Sequence, residues 1–275
     1  MKIVFTDLDG TLLNDDKSIC KKNLEMFKKL KEKGIVCVAA TGRSLHLVNQ
    51  VIPSDFPFDY VLFSSGAGIV DWKSKQLIYK QHLSEQEVKH ISAVLLKKNI
   101  SFMLQKEIPD NHYFTYFKGE KLSGDFLWRL KKYKNYSQAF NPCNGDLGEA
   151  SQFLIILNPD INLINSLINQ FKEYAVIRAT SPLDGKSVWI EIFNKNVSKG
   201  LTAQWLCKRL RIETSQTMAV GNDYNDLDLL EFAHYSYMVE NAPEELKTDF
   251  EIVAPNSENG VCEAIVHALK KHEQK

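Results

Sequence analysis

The first hydrophobic stretch of the chain is short and stops abruptly at acidic residues. Residues 3–5 are apolar and are followed, after Thr6, by Asp7, Asp9 and Gly10. A short apolar run that ends in acids and a glycine is typical of a buried strand reaching the edge of its sheet. Alternate side chains of a strand point the same way, so the two carboxylates begin on a common face before the glycine turns the chain. A plain strand followed by an Asp-Gly turn has the same letters, and this stretch alone leaves both interpretations open.

Other short apolar runs end in polar residues as well. Residues 36–40 lead into Thr41 and Gly42, and residues 217–220 lead into Gly221 and a group of amides and acids. Strands alternating with helix-sized segments favour a parallel sheet with helices on both faces. The pattern therefore predicts an α/β protein with a Rossmann-like, doubly wound parallel sheet. Further strands of this core are expected at residues 60–64, 69–71, 235–239 and 251–254.

The spacing between these strands predicts a second domain. Only one helix-sized segment, residues 21–33, separates the first strand from the second. Between Arg43 and Lys199, in contrast, lies far more chain than the ~30 residues of a strand-helix-strand unit. We therefore expect a core of residues 1–81 and 187–275, with an inserted α+β domain at residues 82–186.

The inserted segment has its own alternation of helices and strands. Its first helix, residues 84–98, begins with a Ser-Glu-Gln-Glu sequence that has the form of a capping box. The other predicted helices are residues 125–134 and 161–172. Strands are predicted at residues 100–105, 112–117, 152–157, 175–179 and 188–193, the last of which is expected to lead back into the core.

Composition narrows the class of protein and its partners. The 275 residues are 44% hydrophobic and 25% charged, and Lys plus Arg equals Asp plus Glu at 34 each. No overall field recruits nucleic acid or an anionic membrane, and no apolar run approaches the ~18–20 residues of a membrane span. Acids stand where a signal peptide needs its apolar segment. We expect a soluble, cytoplasmic protein without nucleic-acid or membrane partners, either monomer or dimer.

The cysteines and a local basic stretch have ordinary structural interpretations. No cysteines have the CxxC spacing of a zinc site, and their scattered, odd number argues against a disulfide framework. Basic and aromatic residues alternate between Lys118 and Tyr136. Three interpretations are open: contacts with an anionic substrate, stacking on single-stranded nucleic acid, or a helix with one solvated and one apolar face. The last interpretation is favoured. The cysteines are Cys20, Cys37, Cys143, Cys207 and Cys262.

The residues at the strand ends are suited to phosphoryl chemistry. One of the paired carboxylates Asp7 and Asp9 can attack phosphorus while the other moves protons, and a hard cation neutralises the charge. The hydroxyl and backbone N–H groups at Thr41 can hold phosphate oxygens. Lys199 stands in the first turn of a predicted helix, where the macrodipole disfavours a cation, and bound phosphate would account for it. The oxygen-rich cluster after residue 221 suits magnesium.

Four stretches together resemble the motifs of the haloacid dehalogenase-like (HAD) phosphatase superfamily, in the same order along the chain. The resemblance is closest to the Cof-type group, which has a large inserted cap of type IIB. It extends to the segments near residues 65–67 and 188–192 and to the tail at residues 241–243 and 259–261. The four motif stretches are DLDGTLL from Asp7, VAATGRS ending at Ser44, VSKGL from Val197 and VGNDYNDLDLL from Val220.

The resemblance implies a role for each motif residue. Asp7 would be the nucleophile, and Asp9 would protonate the leaving group and then activate water. Phosphoryl oxygens would be held by Thr41, Gly42, Lys199 and Asn225. Magnesium would be bound by Asp7, by the backbone carbonyl of Asp9, and by Asn222 with Asp223 or Asp226.

Two positions depart from the family pattern. Asn222 stands where the family has its first Asp, so the metal site has a neutral ligand there, which weakens magnesium binding. Ser65 stands where most members have Asn, which removes an amide that contacts substrate.

The function that the resemblance implies is a magnesium-dependent phosphatase acting on small phosphorylated metabolites, with sugar phosphates as the leading class. A phosphomutase acting on hexose phosphates and a non-catalytic sugar-phosphate sensor are the alternatives.

Overall fold

The computed structural model describes residues 1–141, 147–181 and 186–273, without the side chain of Thr180. The chain divides into two compact units, which we call the larger unit (Met1–Tyr79 with Ser198–Lys275) and the smaller unit (Lys80–Val197). None of the helices in these described ranges has the length and apolar character that a membrane crossing requires.

The helices and strands alternate along most of the chain. The strands are β1 (Ile3–Thr6), β2 (Val36–Ala40), β3 (Tyr60–Phe63), β4 (Gly68–Asp71), β5 (Leu77–Lys80), β6 (Phe102–Gln105), β7 (Phe114–Phe117), β8 (Ser137–Ala139), β9 (Gln152–Leu157), β10 (Ala175–Thr180), β11 (Val188–Phe193), β12 (Thr217–Gly221), β13 (Tyr235–Val239) and β14 (Glu251–Val253). The helices are α1 (Lys21–Glu32), α2 (Leu45–Val51), α3 (Glu85–Lys97), α4 (Gly124–Lys132), α5 (Ile161–Gln170), α6 (Lys199–Leu210), α7 (Leu227–Phe232) and α8 (Gly260–Glu273).

The larger unit is built on an eight-stranded sheet in the order β14-β13-β12-β1-β2-β3-β4-β5. The six strands from β14 to β3 run parallel, and β4 turns back antiparallel to β3. Every residue of the central strand β1 is buried, which is why residues 3–5 are apolar without alternation. The predicted α/β fold with a parallel sheet is confirmed.

The smaller unit contains a six-stranded sheet in the order β10-β11-β9-β6-β7-β8. One face packs Phe102 and Phe153 against α3 and α5, while the opposite face packs Leu154 and Ile156 against Phe126 of α4. Alternation along each strand supplies both apolar faces at once. The predicted capping box opens α3, where Ser84 and Glu87 bond to each other's backbone N–H groups.

The strand β11 differs from its predicted place. It pairs antiparallel with both β9 and β10, and its residues Val188, Ile190 and Ile192 lie in the apolar core beneath α3. The smaller unit therefore continues to Val197, and the expected boundary after residue 186 falls inside it. A buried apolar strand has the same sequence pattern in either sheet, so only the pairing distinguishes them.

Some predictions differ in detail or lie outside the described residues. Helices α4 and α5 end two residues earlier than expected, and the short strands β5 and β8 were not expected at all. β5 is largely exposed or half-buried, so it lacks a periodic apolar signal. Of the cysteines, Cys143 lies outside the described residues, and the other four are free thiols.

A glycine contact in the larger unit joins the turn after β3 to the start of α6. Gly66 has φ +95°, and a Cβ placed on it would lie 2.4 Å from the carbonyl oxygen of Ser198. The carbonyl of Gly66 in turn accepts a hydrogen bond of 2.8 Å from Thr202 Oγ1. This close approach sets the position from which α6 begins.

Gly66→Ala is expected to lower the free energy of unfolding by about 3 kcal/mol or more, because the backbone must shift as well as adopt a strained φ. Gly34→Ala is the matched control, since Gly34 has φ +70° with nothing within 4 Å of the added Cβ. Strain alone should cost about 1 kcal/mol there. Urea unfolding measures the decrease in the free energy of unfolding for each variant. Equal decreases would show that the close approach of Gly66 to Ser198 adds nothing to the backbone strain.

Candidate active site

The candidate site lies where three parallel strands of the larger unit end side by side. β1 pairs in register with β2 on one side and β12 on the other, so Thr6 lies level with Ala39 and Val220. The residues that follow these strands therefore emerge at one edge of the sheet, where ligands of open α/β sheets commonly bind. Asp7 directly follows β1, and its backbone N–H donates to the Val220 carbonyl at 3.0 Å.

Lys199 is the buried cation of this site. Its side chain is fully buried in the first turn of α6, which Ser198 caps by accepting a hydrogen bond from the Leu201 N–H. Nζ donates to Asp7 Oδ1 at 2.8 Å and to Asp226 Oδ1 at 2.6 Å. Burial alone would lower the pKa of Lys199, but the two carboxylates outweigh it and raise that pKa. Lys199 is therefore charged, which explains a lysine in a first helical turn.

Asp7 has an excess of negative charge around it. Burial raises its pKa to about 7, with Asp226 adding to the shift and Lys199 opposing it. Asp7 and Asp226 together carry one more negative charge than the single ammonium between them neutralises. A second positive charge beside Asp7 would stabilise this group, because an uncompensated buried charge is costly. The donor set thus fits a divalent cation with oxygen ligands.

Both carboxylate oxygens of Asp226 accept hydrogen bonds. While Oδ1 binds Lys199, Oδ2 accepts from the backbone N–H groups of Asn222 and Asp223 at 2.9 and 3.1 Å. The side chain is fully buried. Asp226 thus links the buried ammonium of Lys199 to the backbone of the loop after β12, and its geometry favours positioning that loop.

The Asn222 side chain lies against the turn that follows Asp9. Its Oδ1 accepts a hydrogen bond of 3.0 Å from Thr11 Oγ1, and a Cβ on Gly10 would lie 2.6 Å from its Nδ2. Asp223 turns back on its own loop, where Oδ1 accepts from the Tyr224 N–H. Asn222 is thus the residue of this pair that contacts the β1 turn.

Asp9 is held by two cations in this structure. Arg43 contacts it through Nε and Nη2 at 2.5 and 2.7 Å, and Lys17 contributes a third contact at 3.0 Å. Burial opposes ionisation of Asp9, but Arg43 and Lys17 outweigh it and hold the pKa of Asp9 below its usual range. Asp9 is therefore ionised and paired on both oxygens in this structure.

The predicted phosphate-binding residues are also neighbours. A Cβ on Gly42 would lie 3.5 Å from Ser65 Oγ and 3.6 Å from Asn225 Nδ2. The Thr41 carbonyl accepts from the Ser65 N–H, while Asn225 Oδ1 lies 3.4 Å from Lys199 Nζ. The strand ends therefore place hydroxyl, amide and ammonium groups together, which are suitable donors for phosphoryl oxygens.

Three residues of the site were not among the predicted ones. Arg43 and Thr11 belong to the quoted motif stretches, so their proximity in sequence was a usable signal. Lys17 lies in a loop without regular structure, where no pattern pointed to Asp9.

The chain matches the family model of the haloacid dehalogenase-like hydrolases over residues 4–265. This match covers both motif-bearing ends of the larger unit and the whole smaller unit. The chain belongs to the HAD-like hydrolase family. The predicted resemblance is confirmed.

Several relatives of this HAD-like chain are named as phosphatases. The 5-amino-6-(5-phospho-D-ribitylamino)uracil phosphatase YwtE of Bacillus subtilis is 28% identical, with 95% of this chain and 96% of the relative covered. A putative phosphatase of Streptococcus pyogenes serotype M6 is 25% identical, over 96% and 97% of the two chains. The predicted enzyme class of this HAD-like chain, a phosphoric monoester hydrolase, is confirmed.

Solved structures of HAD phosphatases share the fold. BT1666 from Bacteroides thetaiotaomicron aligns with a TM-score of 0.78 at 19% identity, covering 97% of this chain and 94% of its own. The subclass IIB sugar phosphatase BT4131 aligns with a TM-score of 0.76 at 19% identity, covering 97% and 98%.

The raised pKa of Asp7 predicts a pH-dependent stability of the metal-free HAD-like protein. The folded state binds the proton more tightly than the unfolded chain, so the contribution of Asp7 is full below its ordinary pKa of 3.8 and is lost as the pH rises through about 7. Asp7→Asn removes the titrating carboxyl, so the variant should not lose this part of its stability as the pH rises. In EDTA at pH 8 the variant should melt several degrees above the wild type, and the difference should shrink toward pH 4.

Thermal melts across this pH range in EDTA measure the effect. Asp249→Asn, at an exposed position of the same unit, is the control and should follow the wild-type curve. A variant Asp7→Asn that loses stability with pH as steeply as the wild type would show that Asp7 is not the titrating group.

Proposed function

We propose that the protein is a magnesium-dependent phosphatase of small phosphorylated metabolites that works through an aspartyl-phosphate intermediate. The observation that carries the proposal is the buried group of Asp7, Lys199 and Asp226, whose negative charges exceed its positive one. It lies at the strand ends that also bring Thr41 and Asn225 close. A nucleophilic carboxylate, phosphate-oxygen donors and a need for a cation thus occur together.

In the proposed reaction Asp7 attacks phosphorus. No described residue donates a hydrogen bond to its Oδ2, whereas Oδ1 is held by Lys199, so the carboxylate is oriented with one oxygen available. Lys199 balances charge on the nucleophile and, with the N–H groups around Thr41 and the amide of Asn225, holds phosphoryl oxygens. In-line transfer depends mainly on such positioning and charge compensation.

Asp9 is proposed to move the proton. It would protonate the leaving alkoxide and then take a proton from the water that hydrolyses the aspartyl phosphate. Its pairing with Arg43 and Lys17 must open first, since the pKa of a carboxyl held by two cations is too low for an acid.

Magnesium would be held by Asp7, the backbone carbonyl of Asp9 and Asn222, with Asp223 assisting directly or through water, and it would neutralise charge on the phosphoryl group. Asp226 would position the loop after β12, since it binds Lys199 through one oxygen and two backbone N–H groups of that loop through the other.

Polyol and sugar phosphates are the proposed substrate class. The relative YwtE is named for a phosphorylated ribitylaminouracil, and BT4131 is described as a sugar phosphatase. Both names describe phosphate esters of polyhydroxylated alcohols. We propose that the smaller unit acts as the cap and supplies the residues that select among them.

The decisive experiment measures phosphate release from a panel of sugar, polyol, cofactor and glycerate phosphates, with and without magnesium. Wild type is expected to release phosphate only with magnesium, and Asp7→Asn is expected to lose at least about 10³-fold in rate because no nucleophile replaces the carboxylate. Full activity in that variant would rule out Asp7. Isomerisation of a hexose phosphate without phosphate release would instead identify a phosphomutase, and binding without turnover a sensor.

Asn222→Asp should strengthen magnesium binding by about tenfold. A carboxylate can keep the bond from Thr11 on one oxygen and offer the other, with a full charge, to the metal. The same charge should lower the melting temperature of the metal-free protein, because the site already carries excess negative charge. Calorimetric titration and melts with and without magnesium test both effects.

Asn135→Asp provides the control for Asn222→Asp. Asn135 is exposed in the smaller unit, so this variant adds the same charge without a metal ligand. Unchanged magnesium affinity in Asn222→Asp would exclude residue 222 from the metal site.

A further inference from the structure

Two asparagines of the larger unit follow the strands next to β12. Asn241 comes two residues after the end of β13, and Asn256 comes three residues after the end of β14. β13 pairs parallel with β12, and β14 pairs parallel with β13, so that Val239 lies level with Val253. Both asparagines therefore emerge at the edge of the sheet where Asp7 lies.

Their side-chain amides hold the turn that the chain makes after β1. Asn241 Nδ2 donates to the Gly10 carbonyl at 2.8 Å, and Asn241 Oδ1 accepts from the Asn256 backbone N–H at 2.9 Å. These contacts fix the orientation of the amide, because a backbone N–H only donates and a carbonyl only accepts. Asn256 Nδ2 in turn donates to the Leu13 carbonyl at 2.9 Å. The two amides thus hold the turn at residues 10–13 from both of its ends.

The turn at residues 10–13 needs this support because it begins with a glycine. Gly10 has φ +74°, and glycine has more backbone freedom than any other residue. Rotation about its dihedrals would reorient the Asp9 carbonyl on one side and Thr11 on the other. Leu13 also forms an isolated β-bridge with Asp9, so a bond to the Leu13 carbonyl steadies Asp9 as well. The asparagines therefore act on the backbone of Asp9 through its neighbours.

Two groups of the proposed magnesium site depend on this turn. The Asp9 carbonyl is one proposed ligand, and Thr11 Oγ1 donates at 3.0 Å to Oδ1 of Asn222, another proposed ligand. A shift of the turn would move both oxygens together. Removing a hydrogen-bond partner that orients a metal ligand commonly lowers metal affinity by about 10- to 100-fold.

The burial of the two asparagines separates positioning from stability. Asn241 is exposed, so water competes for its hydrogen bonds and they add little to the free energy of unfolding. Asn256 is only 5% exposed, so its loss leaves a buried carbonyl unpaired and destabilises the fold as well. An effect of Asn241 on the site is therefore not a consequence of stability.

We propose that Asn241 and Asn256 are positioning residues of the active site. By holding the turn at residues 10–13, they orient the Asp9 carbonyl and Asn222. The inference rests on the proposed function in one respect, that these two oxygens bind magnesium. Neither asparagine belongs to the four motif stretches, so the site extends to the strand ends of β13 and β14.

The experiment measures the magnesium affinity of the full chain by calorimetry and its stability by thermal melts in EDTA. Asn241→Ala should raise the magnesium dissociation constant by about tenfold, while the melting temperature stays within about 2 °C of wild type. Asn256→Ala should raise the dissociation constant by a similar factor and also lower the melting temperature by several degrees.

Asn23→Ala is the matched control. Asn23 is fully buried, and its Oδ1 accepts from the Cys262 N–H at 3.2 Å, which joins α1 to α8. This variant should melt as early as Asn256→Ala but keep a magnesium affinity within about twofold of wild type. Wild-type affinity in Asn241→Ala, or an equal loss of affinity in Asn23→Ala, would overturn the inference.

Phosphate release gives a second readout. Asn241→Ala should be slow at low magnesium, and at saturating magnesium it should recover most of the wild-type kcat with an unchanged KM for the phosphate ester. A raised KM for the ester with unchanged magnesium dependence would contradict a role in positioning the metal ligands.

Hydrogen exchange separates failure of the inference from failure of the proposed function. In the metal-free protein, the amide hydrogens of residues 10–13 should exchange about tenfold faster in Asn241→Ala and Asn256→Ala than in wild type, and Asn23→Ala should leave them unchanged. If wild type binds no magnesium or releases no phosphate, the proposed function fails. Faster exchange confined to the two variants would then still support their hold on the turn, and unchanged exchange would overturn it.

Discussion

The candidate active site depends on the burial of one ammonium group between two carboxylates. Lys199 is fully enclosed and bonds to Asp7 and Asp226, and neither bond would persist at this strength if water reached the group. Because the two acids exceed the single cation in charge, the same burial that holds the group together raises the pKa of Asp7. Stability and chemistry are therefore linked: an arrangement favourable to a bound cation is unfavourable to the metal-free protein.

The rest of the larger unit places these groups within reach of one another. Parallel pairing of β1 with β2 and β12 aligns three strand ends, and the contact of Gly66 with Ser198 sets where α6 begins. Asp226 then uses its second oxygen to hold the loop that presents Asn222. Backbone pairing and hydrogen bonds to backbone groups thus position the candidate site, in which Asp7, Lys199 and Asp226 are buried while Asp9, Asn222 and Asn225 remain partly exposed.

The smaller unit also contains buried polar atoms, and these lack hydrogen-bond partners in the described part of the chain. Its sheet has an apolar core on each face, yet Gln152 and Arg129 keep buried atoms without partners in the described residues. Folding alone would be better served by apolar side chains there. Buried polar atoms without partners destabilise the folded state, because folding removes their hydrogen bonds to water and returns none.

The sequence by itself determined the α/β fold with its parallel core, because short apolar runs ending in acids, hydroxyls and amides are local patterns. It did not distinguish the sheet to which residues 188–193 belong, since a buried strand looks the same in either. It also did not assign Asp226, Arg43 and Lys17 to their partners. Those assignments depend on distances between residues far apart in the chain, and only the tertiary structure decided them, by fixing which charges are buried together and which oxygens are already bonded.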